Sequence, residues 1–283
     1  MRRKSLIILC AMLIFASACQ AQPSAEVSEE IPEQESIQSL ALDSVEAESV
    51  AQRIERLDIQ DVQAEMFMQL EMLSDNMNVT IESDTELAYS ASNNGLHVVI
   101  DTIVNGKEGS ASQLDVYADG EYLYLRTNYD TTWHKFTYAN QTINPESLIK
   151  MYTTTEFRQF YDEWQDRLVV TETDTEYTIT LEGSGTEFTD YIRQSMNSLQ
   201  GLRVDDALFE IYRVKNVKVV HTFDKANNLP TSMSISLNYL FRGESANVEH
   251  ILDMNVNYLA VNQGFVLDLP SELETLELEV ESP

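Results

Sequence analysis

Thr231-Ser232-Met233-Ser234-Ile235-Ser236-Leu237-Asn238-Tyr239-Leu240-Phe241 is the stretch that decides the fold. Met233, Ile235, Leu237, Tyr239 and Phe241 fall on one side, and Ser232, Ser234, Ser236 and Asn238 on the other. That period of two belongs to a strand with one dry and one wet face. Val248, His250, Leu252, Met254, Val256 and Tyr258 repeat it. Earlier in the chain Val62, Ala64, Met66, Met68, Leu70 and Met72 alternate in the same way, with Phe67 on the opposite side. Val79, Ile81 and Leu87, then Leu96, Val98 and Ile100, continue the pattern. Asn94-Gly95, Asn105-Gly106 and Asp119-Gly120 punctuate it with residues that accept the positive φ of tight hairpins. Strands at 122–128 and 132–138 follow, which completes an antiparallel meander.

Between the two sheet-like regions the period lengthens to that of a helix. Asn144-Pro145 is a cap followed by a proline at the first helical position. Thr153-Thr154-Thr155-Glu156 is a capping box, and Phe157, Phe160, Tyr161, Trp164 and Leu168 then share one helical face. A short strand at 176–182 separates this from a second box, Ser184-Gly185-Thr186-Glu187, which leads into Phe188, Tyr191, Ile192 and Leu199. A further short helix is expected over 44–57. The fold class expected is α+β, a curved antiparallel half-barrel sheet wrapped over two or three helices.

The first residues say where such a domain lives. Arg2, Arg3 and Lys4 precede an apolar run over 6–18, too short to span a hydrocarbon core of about 30 Å. A positive flank, a short apolar run and small residues at its end make an export signal. The run closes on Phe15-Ala16-Ser17-Ala18-Cys19, which resembles a bacterial lipobox. The resemblance implies lipid transfer to the Cys19 thiol and cleavage before it, although Ala16 replaces the usual leucine. An ordinary signal cut after Ala18 or Ala21 is the alternative. The domains expected are a signal at 1–18, an acidic disordered linker at 19–43 and one α+β domain at 44–283. Cys10 and Cys19 are the two cysteines, so the cleaved chain would hold no disulfide and no thiolate site.

The 283 residues carry a formal charge of −29, which becomes −32 when Arg2, Arg3 and Lys4 leave with the signal. Such acidity excludes nucleic acid as a partner, because its phosphates would be repelled. It also argues against loose adsorption to an anionic lipid surface. Residues 20–50 hold eight acidic side chains and no basic one, the composition of a solvated tether.

A family resemblance follows from the order of these parts. Signal, lipobox, acidic linker and a strand–helix–strand domain look like an uncharacterised family of Gram-positive lipoproteins. Val116-Tyr117-Ala118-Asp119-Gly120-Glu121-Tyr122-Leu123-Tyr124, Trp133-His134-Lys135, the run Asp224 to Met233 and the closing Val266 to Glu272 carry the likeness. More distantly the order is similar to the LolA/LppX-like lipoprotein carriers, half-barrels whose concave apolar face holds acyl chains. The likeness implies a fold and carries over no catalytic residue.

Motifs of chemistry are sparse. Ser147-Leu148-Ile149-Lys150 and Ser74-Asp75-Asn76 imitate penicillin-recognising enzymes, but their order is reversed and no Lys-Thr-Gly follows. His97, His134, His221 and His250 show no i, i+4 spacing and no zinc-protease motif. Asp162, Glu163 and Asp166, and Asp205-Asp206, lack the spacing of a calcium loop. His250, near Glu249 and Asp253, could orient or bind something. No enzyme activity, cofactor or metal is expected.

What remains is soft and apolar. Met66, Met68, Met72 and Met77 crowd twelve residues, and methionine adapts to irregular shapes. The candidate groove lining is Met66, Met68, Met72, Trp133, Phe157, Phe160, Trp164, Met233, Ile235 and Leu237, with Cys19 as the lipidation site. The function expected is a lipid-anchored binding protein facing outside the cytoplasm, attached through Cys19 and able to hold an apolar ligand between sheet and helices. The alternative is an acidic interaction module for an envelope protein, with a filled core.

Overall fold

The computed structural model describes residues 59–74, 77–105, 111–137, 164–185, 188, 212–242 and 247–278. They build one antiparallel sheet. Its first meander comprises β1 (Asp61–Ser74), β2 (Met77–Ser90), β3 (Gly95–Val104), β4 (Ser112–Ala118), β5 (Tyr122–Thr127) and β6 (His134–Thr137). A second comprises β7 (Val169–Glu172), β8 (Glu176–Gly183), β9 (Tyr212–Asp224), β10 (Pro230–Arg242) and β11 (Asn247–Val261). The order across the sheet is β6-β5-β4-β3-β2-β1-β11-β10-β9-β8-β7. The two meanders therefore meet where β1 pairs β11 antiparallel, Met66 opposite Val256 and Met68 opposite Met254.

Directly opposed residues in such pairs share a face, so the register extends the alternation of each strand across the whole sheet. One apolar row runs Leu87, Ala64 and Tyr258, and the next runs Thr85, Met66, Val256, Met233 and His221. Val62, Leu96, Leu123 and Leu70 on this face are at most 1% exposed, while Glu65, Glu86, Asn255 and Ser234 occupy the other. The buried side chains gather into three clusters, under β7–β10, under β1–β5 with β10 and β11, and around Leu70, Met72 and Ile81. Ile235 touches the first two and Leu252 the first and third.

Three irregularities interrupt the ladders, near Gln63 against β11 and near Thr231 and Asn238 against β9. Each places an extra residue on one strand (Leu259, Thr231 and Lys215), and bulges of this kind add local bend and twist. They supply what a sheet this wide needs in order to curl. The turns fit the residues at them: Asn94, Asn105 and Gly120 have φ of 50°, 54° and 86°.

After β11 the chain is strapped across the sheet end. Asp61, 4% exposed, accepts the N–H groups of Gln263 (2.8 Å) and Gly264 (2.9 Å). Ser90 Oγ donates to the Phe265 carbonyl at 2.9 Å, and Asn93 Nδ2 to that of Leu267 at 2.7 Å. The strap continues through α1 (Ser271–Glu274), where Leu273 is fully buried. Leu278 then makes a parallel bridge to Lys135, beside edge strand β6.

Helix is scarce among the described residues: α1, a 3₁₀ turn at Gln165–Arg167 and the helical positions Trp164 and Phe188. The expected helices over 44–57, after Asn144-Pro145, over 155–168 up to Trp164 and over 186–199 apart from Phe188 lie outside the described residues, as do the signal, Cys19 and the linker. The described architecture is thus the large open sheet of the expectation, without its covering helices.

Candidate functional site

The centre of the apolar face is built on β1, β11 and β10. Met68 opposes Met254, which opposes Ile235; Leu70 opposes Leu252, which opposes Leu237. Met66, Met68, Met72, Met233, Ile235 and Leu237 from the sequence reading share this face. Met68, Met72, Met233 and Leu237 are buried, and Met66 and Ile235 are partly so. Met254 joins them although sequence reasoning did not single it out. Its signal was its in-phase position in the 248–258 alternation.

The remaining expected lining residues divide. Trp164 packs against the β7–β10 cluster, its ring stacked on Phe188 at 4.6 Å and 10°, with the Arg167 guanidinium over both rings. Phe157 and Phe160 lie outside the described residues. Trp133 does not join the apolar face. It sits edge-on to Tyr117 at 5.7 Å under the Arg126 guanidinium, 4.5 Å from its ring centre. Tyr117 and Arg126 are in phase with the polar face. Trp133 precedes β6 outside any strand, where a period of two has no meaning.

Polar atoms interrupt the apolar face at a few points. Ser83 and Thr102 satisfy each other at 3.3 Å. Thr85 is 4% exposed, and its Oγ1 has no hydrogen-bond partner among the described residues. His250 stacks flat on Tyr239 (4.6 Å, 1°), and its Nδ1 is likewise unpartnered among the described residues. His221 is wholly enclosed, and burial alone pushes its pKa down to about 3. Burial also lowers that of His250, against the opposing effect of its hydrogen bond with the Val248 backbone. Both imidazoles are neutral at physiological pH. Glu249 and Asp253 do not orient His250, because alternation turns them to the other face. There Glu249 pairs with Lys215 at 2.8 Å and with Asn238, and Asp253 accepts from Ser236.

That other face has its own geometry. A trough of about 660 Å³ crosses it from β3 to β9, with Phe67, 39% exposed, near its middle. Glu65 stands directly opposite Glu86, and Asp84 opposite Asp101. All four line the trough, and no ion pair engages them among the described residues. Beside it the charges do pair: Arg126 donates through Nε (3.0 Å) and Nη2 (2.8 Å) to Asp115, whose second oxygen lies 3.0 Å from His97 Nε2. Among the described residues no cluster of His, Cys, Asp or Glu is placed to hold a metal.

The chain matches a family model described as a family of unknown function (DUF6612) over residues 27–275. No curated protein matches it. Among solved structures it aligns with a DUF1329 family protein from Desulfovibrio piger at 8% identity and a TM-score of 0.28, covering 79% of this chain and 95% of that one. A beta-barrel-like protein of domain of unknown function DUF1849 from Brucella abortus aligns at 9% identity and 0.26, covering 69% and 97%. A domain described as outer membrane lipoprotein-sorting from Vibrio parahaemolyticus aligns at 11% and 0.24, covering 79% and 95%. Overlaps this slight carry no argument about function, and the fold rests on the strand pairing itself.

Proposed function

We propose that this chain, which belongs to the DUF6612 family of unknown function, is a binding lipoprotein tethered through Cys19 outside the cytoplasm, with an apolar ligand held on the methionine-lined face of its sheet. The observation that carries this reading is the convergence of Met66, Met68, Met72, Met233 and Met254 on three neighbouring central strands. Methionine is a poor choice for fixing a rigid core and a good one for a surface that must mould to a flexible guest. No catalytic residue is assigned. No helix among the described residues is long and apolar enough to cross a membrane.

A second reading has its own observation. The trough holds four carboxylates that no ion pair engages among the described residues, which favours a basic partner protein at the envelope, with the apolar face serving only as core.

One preparation tests the first reading. Cys19→Ala should release the chain into the medium, and the released protein, analysed by native mass spectrometry, should carry an apolar compound whose extraction lowers Tm. Membrane retention of Cys19→Ala refutes the anchor. A chain that carries nothing and gains no Tm with hydrocarbon probes refutes the ligand.

A further inference from the structure

The methionine column along β1 is bracketed by two unsatisfied polar atoms. Thr85 stands directly opposite Met66, and His250 directly opposite Met72. Both are at least nine-tenths buried, and Thr85 Oγ1 and His250 Nδ1 lack partners among the described residues. Buried polar atoms are almost always paired, by protein or by something bound. One row away, Ser83 and Thr102 show how this face satisfies hydroxyls when only packing is at stake: they bond each other. Valine would fill the Thr85 position with the same shape and no orphaned oxygen.

The spacing of the two orphans and the charge of the face describe a guest. Met66 to Met72 is six residues of strand, about 20 Å at the usual rise. Between the two ends the in-phase residues of β2, β1, β11 and β10 include no Asp, Glu, Lys or Arg. An ionised head group there would be buried without a counter-charge, which is costly.

We infer that the face takes an uncharged single-chain amphiphile, whose hydroxyl, ester or amide hydrogen-bonds to Thr85 Oγ1 and whose alkyl chain lies along Met66, Met68, Leu70 and Met72 toward His250. This rests on the reading of that face as a ligand site and adds the chemistry of the ligand. It distinguishes the guest from a fatty-acid anion and from a plain hydrocarbon.

The test offers the full mature chain three probes of equal chain length: hexadecane, monopalmitoylglycerol and palmitate at pH 8. Native mass spectrometry and Tm shifts read the binding. The glyceride is expected to bind at least tenfold tighter than palmitate. Thr85→Val is expected to weaken the glyceride about tenfold, the worth of one buried hydrogen bond, and to leave hexadecane unchanged. Thr85→Ser keeps the hydroxyl and should keep the preference, which separates lost recognition from a disturbed fold. Equal binding of all three probes, or a glyceride affinity indifferent to Thr85→Val, overturns the inference and leaves the apolar-ligand reading standing. Failure of every probe to bind wild-type protein overturns that reading and the inference with it.

Discussion

Acidification from pH 7.5 to pH 5 should unlock the sheet through His221. Its cross-strand partners are Met233 and Ile179, and Phe223 meets it edge-on at 6.1 Å. Burial pushes the folded-state pKa of His221 down to about 3 from the ordinary 6.5. Above pH 6.5 both states are neutral at this residue, and it contributes nothing to the pH dependence. Between about pH 6.5 and 3 the unfolded chain takes up a proton that the folded one refuses, so stability falls with pH. The loss is roughly 2 kcal/mol at pH 5 and approaches about 5 kcal/mol near pH 3, at about 1.4 kcal/mol per pH unit. Urea unfolding followed by far-UV circular dichroism at pH 7.5, 6 and 5 measures it. Carboxylates shared by all variants also titrate, so the informative quantity is the difference in slope between wild type and His221→Leu, which fills similar space without the titration. The variant should lose about 2 kcal/mol less than wild type over that range. Parallel slopes would refute the reasoning, whatever the absolute stabilities.

Two other substitutions probe the packing and the polar face. A Cβ on Gly183 would run into the ring of Phe188, which is fully buried and stacked under Trp164. Gly183→Ala should therefore cost about 1–3 kcal/mol by overpacking, read by urea midpoint, and an unchanged midpoint would show that the ring is free to move. In the trough, Glu65→Gln and Asp84→Asn each remove one member of an opposed like-charge pair. Each should stabilise by about 0.2–1 kcal/mol in low salt, with the gain shrinking as ionic strength rises. Destabilisation in low salt would mean that those carboxylates are already neutralised.

Alternation in the sequence was sufficient to read β1, β10 and β11, and the dipeptide Asn94-Gly95 to read the turn between β2 and β3. It was silent wherever a bulge or a distant partner intervened. In β9 the buried residues run Val214, Val217, Val219, His221 and Phe223, and the extra residue Lys215 shifts the phase after Val214. A period-two search breaks there. That β1 pairs with β11 could not be read at all, because alternation says which face a residue occupies and not which strand lies beside it. The candidate site shows the same division. Six of its methionine and aliphatic members follow from phase alone. His250 was in phase with Leu252 but not counted in the lining, and Thr85 was missed because it is polar, although it is in step with Ile81 and Leu87.

Phase also explains why so acidic a chain can hide so neutral a surface. In β1 and β2, Glu65, Glu86, Asp84 and Glu82 alternate with Met66, Leu87, Thr85 and Ser83, so the same two strands write an anionic surface on one side and an uncharged one on the other. The basic residues that do occur answer acids elsewhere, Arg126 to Asp115 and Lys215 to Glu249. Among the described residues no base answers the central acids, which repel one another. A wide sheet with open edges invites edge-to-edge association, and a face whose centre carries acids opposes it between copies of the chain. Solubility therefore accounts for the acid without any ligand. It does not account for an orphaned hydroxyl beside five convergent methionines, which contributes nothing to solubility and weakens the core. That asymmetry is why the apolar face is where a ligand should be sought first.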